Sequence, residues 1–439
     1  MSQPRKNIML ISFDDAVAFW KYKTVFGEAL QTPNLDRICE QSAAFKSAFC
    51  QAPICGPSRS SFMSGKTPHQ LGVFDNRTSV FSKISPDQMW PYRLKKAGYF
   101  CSSGGKVHHG FRPLPQEIHE VLYSDERKPF RIDWQLPKGR PRTLFGGHRG
   151  GVATTEPEDD ERFHDANAAA SAIEFLDRYD SDAPFYREVG FYGPHGPFIT
   201  PKRFKEQYTL NNFRKPGVWK GGADKNAFAD TQMVENFDTG KTRYWKKSVR
   251  NYFSALSHVD HHLGKVWDAL KASRHADNTI VILLADHGFH LGERNRYRKS
   301  TLWEQVANVP FIIHDPARAA PLNITDPSAV LDVGPTVLDY AGLAPMEDCV
   351  GTSLRPVVEG ERLAGRVIPT FHGDSVGIRK GKYRLIRYAD GSTQLYDVAK
   401  DWWQMNDLGQ DHEVFGDMYA SLVETCKTYG FDISRAAAA

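Results

Sequence analysis

The sequence predicts an α/β fold: a mainly parallel central sheet flanked by helices, with a smaller C-terminal α+β subdomain carrying an antiparallel sheet. Three observations predict it. Through the first 364 residues, short apolar runs alternate with segments of helical spacing. Two of those runs, far apart in the chain, end in acidic residues, and the C-terminal ends of strands are where open α/β sheets bind ligands. After about residue 365 the texture changes to short strands separated by tight turns.

The first strand is Ile8-Met9-Leu10-Ile11-Ser12-Phe13, delivering Asp14 and Asp15 at its end. Pro33 and Asn34 suit the start of a helix carrying Leu35, Ile38 and Cys39. Helical spacing runs from Ala166 to Tyr179 and from Tyr252 to Leu270, with a strand near Phe185 to Phe191 between them. That strand leads into Gly193-Pro194-His195-Gly196-Pro197-Phe198. Thr279 to Ala285 repeats the grammar of the first strand and ends in Asp286-His287. Residues 110–160 and 200–245, rich in Pro, Gly and charge, read as long insertions able to shape a pocket, solvated loops being the default. Val376–Arg379, Tyr383–Tyr388 and Gln394–Val398 form a meander with Gly-Lys and Asp-Gly turns, closed by a helix near 411–428. The expected division is therefore a large domain, 1–364, and an antiparallel-sheet subdomain, 365–439.

Composition excludes several classes. A net charge of +4 over 439 residues is too small for a nucleic-acid footprint, yet permits a locally basic pocket for an anion. No apolar run approaches the ~20 residues of a membrane span. The start MSQPRKNIMLISFDD enters a strand directly, without a secretory segment. A cytoplasmic location is expected as written, and a periplasmic or secreted one if the chain was trimmed. Six cysteines, at 39, 50, 55, 101, 349 and 426, are too sparse for a disulfide framework and contain no CxxC pair.

The segment that decides the chemistry is Cys55-Gly56-Pro57-Ser58-Arg59, continuing Ser60-Ser61-Phe62-Met63-Ser64-Gly65. Further along stand Gly105-Lys106-Val107-His108-His109-Gly110, Pro194-His195-Gly196-Pro197-Phe198, Asp286-His287-Gly288 and Lys299 ahead of Trp303-Glu304. Each has a plain structural reading. Cys55 is a buried thiol before a helix, the Asp pairs are strand-end caps, and His195 is a loop residue. Lys299 belongs to a basic face with Arg294, Arg296 and Arg298. Their order along one chain is what these readings leave unexplained.

That order resembles the type I, formylglycine-dependent sulfatases of the alkaline phosphatase superfamily, over nearly the whole chain. Asp-His-Gly-x-x-Leu-Gly-Glu, then Lys-x-x-x-x-Glu, then Asn308-Val309-Pro310-Phe311 is most similar to the iduronate-2-sulfatase and choline-sulfatase branch. The family's usual Asp-Pro-x-Glu-x-x-Asn-Leu is replaced by Asp401-Trp402-Trp403-Gln404-Met405-Asn406-Asp407-Leu408, a structural segment. The resemblance implies that a maturation enzyme oxidises Cys55 to formylglycine (3-oxoalanine). It implies one divalent metal on Asp14, Asp15, Asp286, His287 and residue 55. Three carboxylates make a hard, mostly oxygen site suited to Ca²⁺ or Mg²⁺, and the imidazole of His287 leaves room for Mn²⁺.

By the same resemblance, one hydroxyl of hydrated residue 55 attacks sulfur in line. Collapse of the second hydroxyl expels sulfate and restores the aldehyde, while the metal polarises a sulfate oxygen. Lys106 and Lys299 would neutralise sulfate oxygens, and Arg59 would hold the residue-55 hydroxyl. His195 is the expected general acid on the leaving alcohol and His109 the base for regeneration, two roles open to exchange. Two spacings occur in the family. Two residues after the lysine selects His108, which then contacts substrate, and three, the iduronate-2-sulfatase-like spacing favoured here, selects His109. The expected substrate is an anionic sulfate monoester of a carbohydrate or small alcohol. Phosphonate monoester or phosphodiester hydrolysis is the alternative on the same fold, and a non-catalytic binding protein on this scaffold is a further rival. Trp20, Phe74, Arg77 and His372 are candidates for a specificity pocket. Oligomeric state is not legible.

Overall fold

The computed structural model describes residues 5–110, 112–128, 140–232 and 241–433. Its central sheet has seven strands: β1 (Asn7–Asp14), β2 (Ala43–Phe45), β3 (Phe100–Gly105), β4 (Phe185–Pro194), β5 (Thr279–Ala285), β6 (Phe311–His314) and β7 (Leu322–Ile324). They lie in the order β7-β2-β6-β5-β1-β4-β3. Only β6 runs antiparallel to its neighbours; every other pairing is parallel. β1 and β5 are apolar along almost their whole length and buried at every residue, as strands covered on both faces must be.

Register explains why one edge of this sheet carries the polar residues. Asp14 of β1 pairs with Pro194 of β4, Phe13 with Ala285 of β5, and Gly190 of β4 with Gly105 of β3. Four parallel strands thus finish side by side. Asp14-Asp15, Pro194-His195, Asp286-His287 and Lys106–His109 all emerge at that edge.

The helices that frame the edge are α1 (Pro33–Cys39), α2 (Cys55–Ser64), α3 (His164–Arg178) and α4 (Thr242–Ala272). Successive side chains of a strand point to opposite faces. Arg187 of β4 bonds Ser171 of α3, while its neighbour Tyr186 packs edge-on to Trp90 at 5.2 Å, so both faces of the sheet are covered. The C-terminal part is an antiparallel meander of β8 (Val367–His372), β9 (Ser375–Lys380), β10 (Tyr383–Arg387) and β11 (Thr393–Asp397), with α5 (Phe415–Thr428) beside it. Ile368, Phe371, Val376, Ile378, Leu385 and Leu395 join Met418, Leu422 and Cys426 in one apolar cluster, which also takes in Phe49, Ala307 and Leu331.

One element boundary and one expected insertion differ from expectation. α4 begins at Thr242, ten residues before Tyr252, because its first turns, TRYWKKSVRN, bury Trp245 and Val249 while Lys246 and Lys247 keep contact with solvent. The segment 200–245 also holds short helices at Lys202–Glu206 and Ala227–Gln232. Of the other expected insertion, 110–160, residues 111 and 129–139 lie outside the described residues.

Candidate active site

Cys55 is the first residue of α2, with Ile54 before it in extended backbone. The helix N-terminus, with its unpaired amides and positive dipole end, favours a negative group there. Gly56 is needed for this entry: a Cβ would sit 2.9 Å from the Asp75 carbonyl, and the Gly56 amide donates to Asn76 Oδ1 at 2.7 Å. Four side chains converge on the thiol. Lys299 Nζ lies 2.9 Å from Sγ, His287 Nε2 3.3 Å and Asp14 Oδ1 3.4 Å, and His109 adds a side-chain hydrogen bond. Burial alone would raise the thiol pKa; Lys299, His287 and Lys106 outweigh it and hold it well below the ordinary value.

The carboxylates come from the ends of β1 and β5. Asp14 is paired with Lys106 Nζ, and burial and the charge of Cys55 are overridden by Lys106, His195 and Arg59 to hold its carboxyl low. Lys106 reaches this point because β3 and β4 cross at glycine. A Cβ on Gly190 would lie 2.1 Å from the Lys106 carbonyl carbon. Asp15 has a left-handed backbone, φ 63°, a strained state for a non-glycine residue. Its amide donates to Asp286 Oδ1 at 3.1 Å and its carbonyl accepts from Tyr252 Oη at 2.6 Å, which holds the strain in place. Lys299 Nζ is 2.6 Å from Asp15 Oδ1. Asp286 is pushed up by burial and by Asp14, whereas His287, despite burial, is raised to about 9, chiefly by Asp286.

These residues fit a metal. Ligand atoms of Asp14, Cys55, Asp286 and His287 all lie within 4.8 Å of one another, as do those of Asp14, Asp15, Cys55 and His195. The three carboxylates with the imidazole of His287 make an oxygen-dominated set, the donor chemistry of a hard divalent cation. His287 Nε2 lies 3.5 Å from Asp15 Oδ1, and Lys106 and Lys299 face Asp14 and Asp15.

The Arg59 guanidinium is wholly buried, and among the described residues it makes no hydrogen bond to the Cys55 thiol. It donates to Asp286 Oδ2 at 2.9 Å and to the carbonyls of Lys106 at 2.7 Å, Val107 at 2.9 Å and Phe13 at 3.0 Å. These bonds tie α2 to the ends of β1, β3 and β5, and the remaining Nη2 donor is on the Asp14 side, with Nη2 3.5 Å from Oδ2.

The two neighbouring histidines diverge. His109 meets Cys55, whereas His108 Nε2 lies 3.0 Å from Tyr123 Oη, which donates to buried Glu188 at 2.7 Å. Burial, then Arg59, pushes His108 down to about 3. His195 stands at the mouth, its side chain 16% exposed, with Nε2 3.8 Å from Asp15 Oδ2. Its Nδ1 contacts Tyr192 Oη and lies 2.6 Å from the Gly196 carbonyl, so that nitrogen is the donor and Nε2 faces the site. Sequence reading missed Tyr192 and also Asp165, which accepts from the amides of Tyr192 at 2.6 Å and Gly193 at 2.9 Å. Asp165 lies on α3 with only helical spacing around it, and nothing in the sequence marks it as the anchor of the His195 loop.

Of the expected pocket residues, Phe74 and Arg77 sit on the exposed loop whose Asp75 and Asn76 brace Gly56. Trp20 instead packs on the core with Lys46 Nζ 4.1 Å above its ring. His372 lines a separate small cavity with Thr301, Trp303 and Tyr388.

A sulfatase family model matches residues 6–343, and a model of the C-terminal region of N-sulphoglucosamine sulphohydrolase matches 292–428. The chain belongs to the sulfatase family. It is 30% identical to a choline-sulfatase of Rhizobium meliloti over 87% of this chain and 78% of that protein. It is 27% identical to the iduronate 2-sulfatase of Mus musculus over 72% of this chain and 60% of that one. Among solved structures, BT4656 in complex with its substrate D-glucosamine-2-N,6-O-disulfate superposes with a TM-score of 0.74 at 22% identity, covering 97% of this chain and 98% of that one. This sulfatase is therefore a sulfuric ester hydrolase acting on a sulfate-ester substrate. No helix among its described residues is long and apolar enough to cross a membrane.

Proposed function

We propose that residue 55, matured from cysteine to formylglycine by a separate enzyme, is the nucleophile that takes sulfate from an ester of a carbohydrate or small alcohol. The convergence of Lys299, His287, Asp14 and His109 on one atom at the start of α2 carries this reading. Asp14, Asp15, Asp286 and His287 would hold a divalent metal, Ca²⁺ by their oxygen-rich donors, which would supply Lewis-acid polarisation, and hydrated residue 55 would supply the attacking hydroxyl.

The chain's own groups do the rest. Lys106 and Lys299 already face carboxylates across the site and are placed to neutralise sulfate oxygens as charge builds on them. Such preorganised donors are worth ~3 kcal/mol each in the transition state. His195, with Nδ1 fixed by Tyr192 and Gly196, presents Nε2 to the leaving oxygen as general acid. His109, against residue 55, is the base that returns it to the aldehyde. Arg59 acts as the strut that spaces the ligand strands.

The test is Cys55→Ala, made beside the unchanged protein with its maturation enzyme. We expect folded protein without sulfate release, and an aldehyde-bearing Cys55 peptide by mass in the unchanged protein only. Substantial sulfate release from folded Cys55→Ala protein would remove residue 55 as nucleophile. Faster turnover of phosphonate or phosphate diesters than of sulfate esters would favour the alternative chemistry.

A further inference from the structure

Two arginines beside the site have no part in the reading above. Arg149 lies along Gly196, next to His195: a Cβ on Gly196 would meet Arg149 Cγ at 3.2 Å, Cδ at 3.5 Å and Nε at 3.6 Å. Arg298 immediately precedes Lys299, which contacts Cys55 and Asp15. The residues just before the two arginines, His148 and Tyr297, stack face to face, with ring centroids 4.8 Å apart and planes 12° from parallel. That stack fixes the two loops side by side.

The stack thereby brings the backbones of Arg149 and Arg298 to the same side of the site. Burial, and then the charge of Arg149, lower the proton affinity of Arg298. Burial, then Arg149 and Arg298, push His148 down to about 3. Among the described residues neither arginine pairs with a carboxylate, and Arg298 Nε is buried without a hydrogen-bond partner. Both residues have left-handed backbones, φ 56° for Arg149 and 85° for Arg298, where L-residues are strained. Two guanidiniums on strained backbone at the mouth of the site, one with a buried donor unsatisfied, offer donors suited to an anion.

We infer that Arg149 and Arg298 form a subsite for a second oxyanion on the leaving-group side of the substrate, a carboxylate or a further sulfate beside the ester being cleaved. The planar forks of two guanidiniums suit an oxyanion with two or more acceptor oxygens. The same pair repels a quaternary ammonium, so choline sulfate is a poor substrate here even though one relative is a choline-sulfatase. The inference rests on the assignment of His195 to the leaving group.

Four esters test it: a sulfated uronic acid, a disulfated glucosamine, neutral 4-nitrophenyl sulfate and choline sulfate. For the matured enzyme, kcat/KM on at least one of the first two exceeds that on 4-nitrophenyl sulfate by about tenfold or more, and Arg149→Gln and Arg298→Gln each cut that ratio about tenfold. Which of the two is preferred tells carboxylate from sulfate. Neither variant lowers Tm, since each relieves repulsion; a merely structural role would lower it. The inference is overturned if the ratio is near one, if it survives both substitutions, or if choline sulfate is preferred. Calorimetric binding of the same esters to Cys55→Ala protein reads the subsite independently of turnover. If no ester is hydrolysed but anionic ones bind in an arginine-dependent way, the subsite stands and the catalytic reading falls.

Discussion

Replacing Arg59 by Met deletes the guanidinium while keeping an apolar stem of similar length. Three carbonyls lose a donor, but unequally. The Phe13 carbonyl keeps the Asp286 amide at 3.2 Å and that of Lys106 keeps a long contact with Ser12 at 3.4 Å, while Val107 keeps none. That component is worth ~1–2 kcal/mol. The larger one is electrostatic. Asp286 loses its 2.9 Å partner and Asp14 a guanidinium at 3.5 Å, and both carboxylates are fully buried. Breaking a buried pair on one side costs ~3–5 kcal/mol, partly relieved when the carboxylate takes up a proton. We expect a net loss of ~4–5 kcal/mol, a large share of the ~5–15 kcal/mol that stabilises a typical domain. The assay is urea unfolding of chelator-treated protein, with Arg59→Met introduced alone and again in Cys55→Ala. A strut gives the same loss in both backgrounds to within ~0.5 kcal/mol. A loss below about 1 kcal/mol, or one that disappears when Cys55 is gone, would refute the strut and restore a role directed at residue 55.

Asp286→Asn should weaken metal binding by an order of magnitude or more in a metal-content titration; unchanged stoichiometry and affinity would take Asp286 off the ligand set. His109→Asn should depress turnover far more than His108→Asn, because only His109 touches residue 55; equal effects would mean that the Tyr123–Glu188 tether of His108 matters to the chemistry. Glu188 is raised to about 7, mainly by burial, against an ordinary value of 4.5. Below 4.5 it is protonated in both folded and unfolded chains; between 4.5 and 7 only the folded chain keeps the proton, so stability falls as pH rises through that window. Glu188→Gln should flatten the fall and gain ~2–3 kcal/mol at pH 8 relative to pH 4.5, measured by denaturant unfolding at both values; an unchanged slope would exclude Glu188 as its source.

The strands that build the site were legible because they obey simple rules. Ile8–Phe13 and Thr279–Ala285 are apolar runs too short for helices, and each ends where carboxylates begin. The C-terminal meander was legible for the opposite reason, alternation broken by Gly-containing turns. Two things were not. Helix α4 hides its first ten residues behind lysines and arginines, since a single buried stripe through Trp245 and Val249 leaves a mostly polar sequence. The bonds of Arg59 to Asp286 and three carbonyls were not legible because a motif records which residue is present and not which atoms its donors reach. His109 and His108 illustrate the same gap: adjacent in sequence, they face different partners, and only the turn after β3 decides which one meets Cys55.

Backbone strain adds what sequence patterns omit. Among the described residues seven non-glycine positions have positive φ: Asp15, Arg149, Arg294, Asn295, Arg298, Ser300 and Gln404. One is a candidate metal ligand, one flanks His195, and four crowd into the seven residues from Arg294 to Ser300 around Lys299. Each costs ~1–3 kcal/mol and persists only where surrounding contacts overrule it. Here the contacts are visible: Tyr252 on Asp15, the His148–Tyr297 stack between Arg149 and Arg298, and the Lys299 bonds to Asp15 and Cys55. A loop strained at four points would relax if Lys299 were free to leave the carboxylates. Its placement against residue 55 is therefore enforced from both ends, by the cluster it neutralises and by the stacked loop behind it. That double constraint makes Lys299, among the cations of the site, the one whose position should change least when substrate arrives.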